Sequence, residues 1–418
     1  MLVLKSLCSE DFMVKQIAKL KNNIDFIYKH NENTPRFALC LNFSINQAEK
    51  TAGIYTLMAR LLLQGTKNRN SEELANEFEK YAIDFSSELF PNYLRIKFIC
   101  LNEDFSKALE LTDDILKNST FEEFEKERRK LIGEITAELD SPRTTAMDAY
   151  YRKLFENHYY GNSLVKILEN IKNVTKEDVI DAFYYIVNNS KKSLALVGAL
   201  PLEDVLPQVE KTIGRLPVAT ASNFHIATPE LNEVKNADNT KPNINQAHII
   251  KGWLVPTCGD ADYPAIILLN IMLGACGLSS RLFQELRDKK GLAYVVRSSY
   301  ETYKLVGNFM IYIATAPQNI ETCLKGFDEE IQKIKTYPVS EEELDNAKTN
   351  IIGKYEFLEE TNIQQACNFA KYDVLGLGFN YIENVKQQIQ NVTPDDVLRC
   401  AQKYFADDKY VLSIIKPE

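Results

Sequence analysis

The sequence repeats itself once, and that repeat limits the folds open to it. NVTKEDVIDAFYYI (173–186) returns as NVTPDDVLRCAQKYF (391–405), and KSLALVGAL (192–200) returns as KYVLSIIK (409–416). FEEFEKERRKLIGEITAEL (121–139) returns as SEEELDNAKTNIIGKYEFL (340–358), with Gly133 and Gly353 at matching places. Correspondences at an offset of roughly 210 to 220 residues mark a duplicated unit of strands and helices. In the first copy NIDFIYKHNENTPRFALCLNFSI (23–45) reads as two strands around a polar turn, and TAGIYTLMARLLLQGT as an apolar-faced helix ending at Gly65. SEELANEFEKYAIDFSS opens a further helix at its serine, with Glu73 two residues on. AHIIKGWLVP, YPAIILLNIMLGACG and GNFMIYIATA follow as strand, helix and strand in the second copy. The expected fold class is α+β, two homologous domains that each pack a one-sided sheet against helices. The expected spans are 1–218 and 243–418, joined by a linker over 219–242. The linker lies in the polar stretch ATASNFHIATPELNEVKNADNTKPN, rich in Asn, Thr and Pro.

Composition narrows the function. At 418 residues the chain exceeds one ordinary core, which agrees with two domains. A net charge of −9 argues against nucleic acid or an anionic membrane as the main partner. The opening MLVLKSLCSEDFMVKQ has no continuous apolar core or small-residue cleavage site, and no stretch approaches the roughly 18 apolar residues of a spanning helix. The eight cysteines form no C-x-x-C pair, and Cys40, Cys100 and Cys400 sit in apolar runs. Buried free thiols in a reducing, cytoplasmic setting are expected.

One stretch carries more specific information. In LGACGLSSRLFQELRDKKGLAYVVRSSY (273–300), small residues from Gly274 to Gly277 break a helical run, and a short amphipathic helix follows with Leu282, Phe283 and Leu286 on its apolar side. Lys289, Lys290 and Gly291 supply a C-terminal stop, and LAYVVRSSY reads as a strand. SSRLFQELRDKKGLAY resembles the hallmark of the C-terminal half of insulinase/pitrilysin-like metallopeptidases, in the small processing-protease branch. The resemblance implies that the two halves, with antiparallel-rich sheets, face one another as a clam shell. It also implies that Arg287, with Tyr294 seven residues later, reaches to a catalytic half and holds the substrate backbone.

The same resemblance exposes a departure. Active relatives carry H-x-x-E-H on the first-domain helix that ends in Gly-Thr, two histidines one turn apart binding zinc and a glutamate activating water. Counting back from Gly65 and Thr66, those positions hold Thr56, Ala59 and Arg60. None serves: alanine is no base, threonine is a poor ligand, and a guanidinium is repelled by the cation. The four histidines, His30, His158, His225 and His248, are nowhere paired at ligand spacing. The family's third zinc ligand is a glutamate seven residues after another. Glu127 and Glu134 keep that pattern, about 20° apart around the helix, as remnants of a metal shell or as solvated glutamates. Glu134 is a possible partner for Arg60. One carboxylate without histidines does not hold zinc at ordinary concentrations.

In the bacterial branch of the family that it resembles, a catalytic chain often pairs with a partner that has lost the zinc motif, so the resemblance implies, as the expected function, a non-catalytic subunit of a heterodimeric zinc metalloendopeptidase. It would carry no metal itself and would complete the peptide-binding chamber of a homologous subunit bearing H-x-x-E-H and zinc. Arginine suits a peptide carbonyl through its fork of donors, and a phenol hydroxyl can donate to a developing oxyanion. GNFMIYIATA is a candidate edge strand for an extended peptide. Alternatives are a scaffold subunit similar to the core proteins of ubiquinol–cytochrome c reductase, or a self-associating homodimeric pseudoenzyme that binds peptides without cleaving them. His158 in NHYYGN is read as a turn residue with a backbone partner.

Overall fold

A computed structural model describes residues 5–6, 15–219 and 226–418. His225 and residues 220–225 of the expected linker lie outside the described residues. The chain divides into two compact units, each α+β. The first unit comprises Met1–Gly133, Glu169–Ile226 and Glu356–Tyr381; the second comprises Glu134–Leu168, Ala227–Tyr355 and Ile382–Glu418.

The first unit is built on a sheet of β1 (Lys5–Ser6), β2 (Lys15–Lys19), β3 (Asp25–His30), β4 (Arg36–Ser44), β5 (Asp84–Phe90), β6 (Tyr93–Leu101) and β7 (Lys192–Gly198). Its order is β1-β2-β3-β7-β4-β6-β5, antiparallel except where β3 runs parallel to β7. The two strands read from 23–45 are β3 and β4, but β7 lies between them, so they form no hairpin. The second unit holds β8 (Lys235–Lys241), β9 (Ala247–Val255), β10 (Ala293–Thr302), β11 (Gly307–Thr315) and β12 (Val411–Pro417), in the order β10-β11-β9-β12-β8. Here β12 runs parallel to β8, and the other pairs are antiparallel. Reading β3-β7-β4-β6-β5 against β8-β12-β9-β11-β10 gives the same pattern of strands. The duplication seen in the sequence is a duplication of the sheet.

Three expectations need correction. Residues 235–241 fall within the expected linker, yet KNADNTK is a strand, held in register along β12 from Lys235↔Val411 to Lys241↔Pro417. Its polar sequence gives no strand signal of its own; backbone pairing to the apolar β12 supplies the order. The helix Ser71–Lys80 is capped not by its serine but by Asn70, whose side chain accepts from the Glu73 N–H while Glu73 accepts from the Asn70 N–H. The strand proposed as an edge, β11, is interior, with β10 and β9 on either side. Every residue of β11 is buried, as an unbroken apolar run requires.

The units are not the two halves of the sequence, because each takes a helix from the other half. The helix Asn362–Val374 packs on β4, β7 and β6 of the first unit. There Ala366, Cys367, Phe369 and Ala370 cover Ile27, Ala38, Cys40, Ala195 and Val197. The helix Pro142–Leu154 packs on β12, β9 and β8 of the second, where Ala146, Tyr150 and Leu154 meet Ile250, Met310, Val411 and Ile415. Burial of these apolar faces, at about 25 cal/mol per Å2, is what fixes each helix to its sheet.

Candidate functional site

The helix Ile54–Leu61 carries Thr56, Ala59 and Arg60, the positions at which the resemblance implies the zinc motif. It starts at Gly53, with φ +103°, and the Glu49 carboxylate caps it by accepting from the N–H groups of Gly53 (3.2 Å) and Tyr55 (2.8 Å). Thr56, Ala59 and Arg60 share one face at positions i, i+3 and i+4. Thr56 is half-buried, Ala59 is buried, and Arg60 stands in the last turn, where a cation suits the helix dipole. Arg60 Nε lies 3.4 Å from Glu127 Oε2, and Lys130 Nζ lies 2.7 Å from Glu127 Oε1. Glu127 is only 4% exposed, so its charge is met by cations rather than by water. Glu134 lies on the same helix, Phe124–Leu139, one residue past Gly133, where the second unit begins.

These residues do not fit a zinc ion. The slots for two histidines and a base hold a hydroxyl, a guanidinium and a methyl group, and Glu127 is already engaged by Arg60 and Lys130. Among the described residues, no three His, Cys, Asp or Glu side chains gather as a metal site. His30 bonds Tyr28 and Glu32, and His248 bonds the Tyr312 hydroxyl at 2.8 Å. His158 heads a 3-10 turn, its Nδ1 accepting from the Tyr160 N–H at 3.1 Å, which is the turn role read from the sequence.

The second unit presents a different arrangement. The helix Tyr263–Asn270 continues through a π turn, Ile271–Ala275, and lies against β10. Gly274 permits that approach, since a Cβ there would fall 2.2 Å from the Ser298 backbone nitrogen. Ser298 Oγ then bonds Asn270 Oδ1 at 2.7 Å. The segment Phe283–Lys289 is itself a π-helix, with Leu282 and Leu286 fully buried. Gly291 ends it at φ +63°, donating to the Arg287 carbonyl, and Leu292 donates to that of Leu286. Leu292 in turn accepts from Thr315 Oγ1 on β11, which pins the start of β10.

This turn brings Arg287 and Tyr294 together. The guanidinium carbon sits 4.5 Å from the Tyr294 ring centroid and 4.6 Å from that of Phe283, so two rings stack on one cation. The sequence pattern places Phe283 on the apolar side of the helix. Its spacing of four residues from Arg287 was the signal that it shares the arginine's face. Register along β10 slips between Ala293, opposite Thr315, and Val295, opposite Ala314. Tyr294 is thus the extra residue of a β-bulge, and it is 75% exposed. Among the described residues no carboxylate pairs with Arg287. Its neighbour Arg281 contrasts: Nε and Nη2 hold Glu343 in a fork at 2.7 and 2.5 Å. β10 is the terminal strand of its unit's sheet, with β11 its partner there.

Comparisons with known proteins agree with this architecture. Residues 26–167 match the profile of "Insulinase (Peptidase family M16)", and residues 173–351 that of "Peptidase M16 inactive domain". A protein of Rickettsia felis named "Uncharacterized zinc protease" is 27% identical over 408 residues, covering 93% of this chain and 95% of that one. The Bacillus subtilis "Uncharacterized zinc protease YmxG" is 24% identical, covering 95% and 97%. The solved structure of a protease from Helicobacter pylori superposes with a TM-score of 0.88 at 22% identity, over 96% of this chain and 99% of that one. A Pseudomonas fluorescens structure described as peptidase M16 inactive domain gives 0.87 at 22%, over 97% and 98%. Two matched profiles of one family, the duplicated sheets and near full-length likeness lead to one conclusion: this chain belongs to the insulinase family of peptidases, M16.

Proposed function

We propose that this chain is the non-catalytic subunit of a heterodimeric zinc metalloendopeptidase, completing the peptide-binding chamber and supplying Arg287 and Tyr294 to the active site of its partner. The observation that carries this reading is the contrast between two arginines. Arg60, at the expected zinc-ligand position, is ion-paired to Glu127, whereas Arg287 is held by two rings and, among the described residues, pairs with no carboxylate. The partner is a homologous chain bearing H-x-x-E-H and the zinc ion, and the substrate is a peptide.

The residues of this chain act by binding and orientation. The Arg287 guanidinium offers five N–H donors to a peptide carbonyl, and stacking between Phe283 and Tyr294 fixes its plane before substrate arrives. The Tyr294 hydroxyl, projected by the bulge, donates to the oxygen on which negative charge develops. β10, at the edge of its sheet, offers backbone groups to an extended peptide, a role that passes to it from the interior β11. The zinc of the partner would supply the activated water.

The test is affinity purification of this chain from its native host with identification of what accompanies it. A stoichiometric homologue of similar size carrying H-x-x-E-H supports the proposal. Recovery as a homodimer that binds peptides unaided, or within a large unrelated assembly, rejects it in favour of a peptide-binding pseudoenzyme or a scaffold.

A further inference from the structure

The first unit contains a second grouping of reactive side chains, remote in sequence and unconnected with peptide binding. Cys40 lies in the middle of β4 and Cys367 in the middle of the helix Asn362–Val374 that covers it, both in one buried cluster. The two side chains share that cluster, and each thiol acts on the ionisation of the other. Cys40 Sγ also approaches Asn42 Oδ1 at 3.6 Å. Arg95 closes the group from β6: its Nε points to Asn42 Oδ1 at 3.4 Å and its Nη2 to the Cys367 carbonyl at 3.5 Å. The rings of Phe90 and Tyr93 hold that guanidinium, and Lys97 stands directly opposite Cys40 in the strand register.

We propose that Cys40 and Cys367 are a dithiol that hydroperoxides convert to an intramolecular disulfide, bolting the helix of the C-terminal half to the sheet of the N-terminal half. The environment divides the labour. The neighbouring Cys40 thiol lowers the Cys367 thiol below its ordinary range against the opposing effect of burial, with Arg95 and Lys97 assisting. Burial foremost, and then the neighbouring Cys367 thiol, push Cys40 well above its own. Cys367 is also the more accessible, 8% exposed against none for Cys40. The Cys367 thiolate attacks one peroxide oxygen, breaking the O–O bond and forming a sulfenic acid while hydroxide departs. The Cys40 sulfur then attacks the sulfenic sulfur, the S–S bond forms, and a second hydroxide leaves. The two thiol protons convert both hydroxides to water. The net change is two thiols and one hydrogen peroxide giving one disulfide and two waters.

The experiment treats the purified full-length chain with equimolar hydrogen peroxide, counts thiols in denaturant, and maps disulfide-linked peptides by mass spectrometry. The expected result is a fall from the eight thiols of the sequence to six, a cross-linked peptide joining Cys40 to Cys367, and a melting temperature several degrees higher that returns on reduction. Cys367→Ser is expected to keep its thiol count under the same treatment and to show no rise in melting temperature. Eight thiols surviving in the wild-type protein, or loss of two thiols through any other pair, overturns the proposal even if the variant fails to fold.

Discussion

Each unit clamps a hallmark helix to the long helix of its half with an arginine–glutamate pair, Arg60–Glu127 in the first and Arg281–Glu343 in the second. They differ in what remains. In the first unit the Arg60 charge is met within the unit by Glu127, which Lys130 also engages. In the second, one arginine is used for the clamp, and another, six residues on, is raised on two aromatic rings at the surface. The two units therefore use the same residue type in different surroundings, and on the proposed function it is the partner that separates the two roles. An arginine facing a buried carboxylate is structure. One stacked on rings, as Arg287 is, is the one the proposed function assigns to a ligand.

The comparison can be broken most sharply at Arg287. In the assembled pair, Arg287→Ala is expected to lower kcat/KM for peptide cleavage about 100-fold, the scale of losing a preorganised donor at a developing charge, with assembly unchanged by sedimentation. Tyr294→Phe keeps the ring under the guanidinium and removes one donor, so a fall of about 10-fold in kcat is expected. Assembly without any loss of turnover would remove both residues from the site.

The next effects concern stability in the first unit. Asp114 accepts from Thr66, Asn68, Arg69 and Asn118. Burial acts to raise its carboxyl, but these donors outweigh it and hold the group below its ordinary range. A depressed folded-state pKa means stabilisation that is complete above the unfolded value, about pH 4, and is lost as pH falls through the folded value. Asp114→Asn is expected to cost about 2 kcal/mol at pH 7 and less at pH 3, read from urea midpoints at the two values. Equal cost at both would show that its charge is not what matters. Arg60→Ala should cost about 1–2 kcal/mol, since Glu127 keeps Lys130, and should leave turnover of the pair unaltered. A large loss of turnover from Arg60→Ala would erase the distinction between the two arginines.

The smallest expected effect falls on Phe283→Ala, which removes one of the two rings under Arg287. A loss of about 0.5–1 kcal/mol corresponds to a two- to five-fold fall in kcat/KM. No change would mean that Tyr294 alone positions the guanidinium.

Much of this was legible from particular residues. The repeated segments foretold two sheets of one pattern, and Gly291 with its preceding lysines foretold the turn that joins Arg287 to Tyr294. The unbroken apolar run of β11 already argued for an interior strand, and only the edge assignment ran against it. Other features had no local signal. An amphipathic helix announces an apolar face but not the sheet that receives it, so the crossing of Pro142–Leu154 and Asn362–Val374 into the opposite units could not be read from periodicity. The strand Lys235–Lys241 exists through pairing with β12, and its own residues are poor strand formers. The bulge that turns Tyr294 outward depends on a one-residue difference between paired strands, which neither strand carries alone.

The most direct test is metal-dependent cleavage of a peptide by this chain, its H-x-x-E-H-bearing homologue from the same host, and an equimolar mixture of the two. Little cleavage by either chain alone, rapid cleavage by the mixture, and a roughly 100-fold fall when the mixture contains Arg287→Ala are the predicted results. A homologue that cleaves as fast without this chain, or a mixture indifferent to Arg287, would contradict the account.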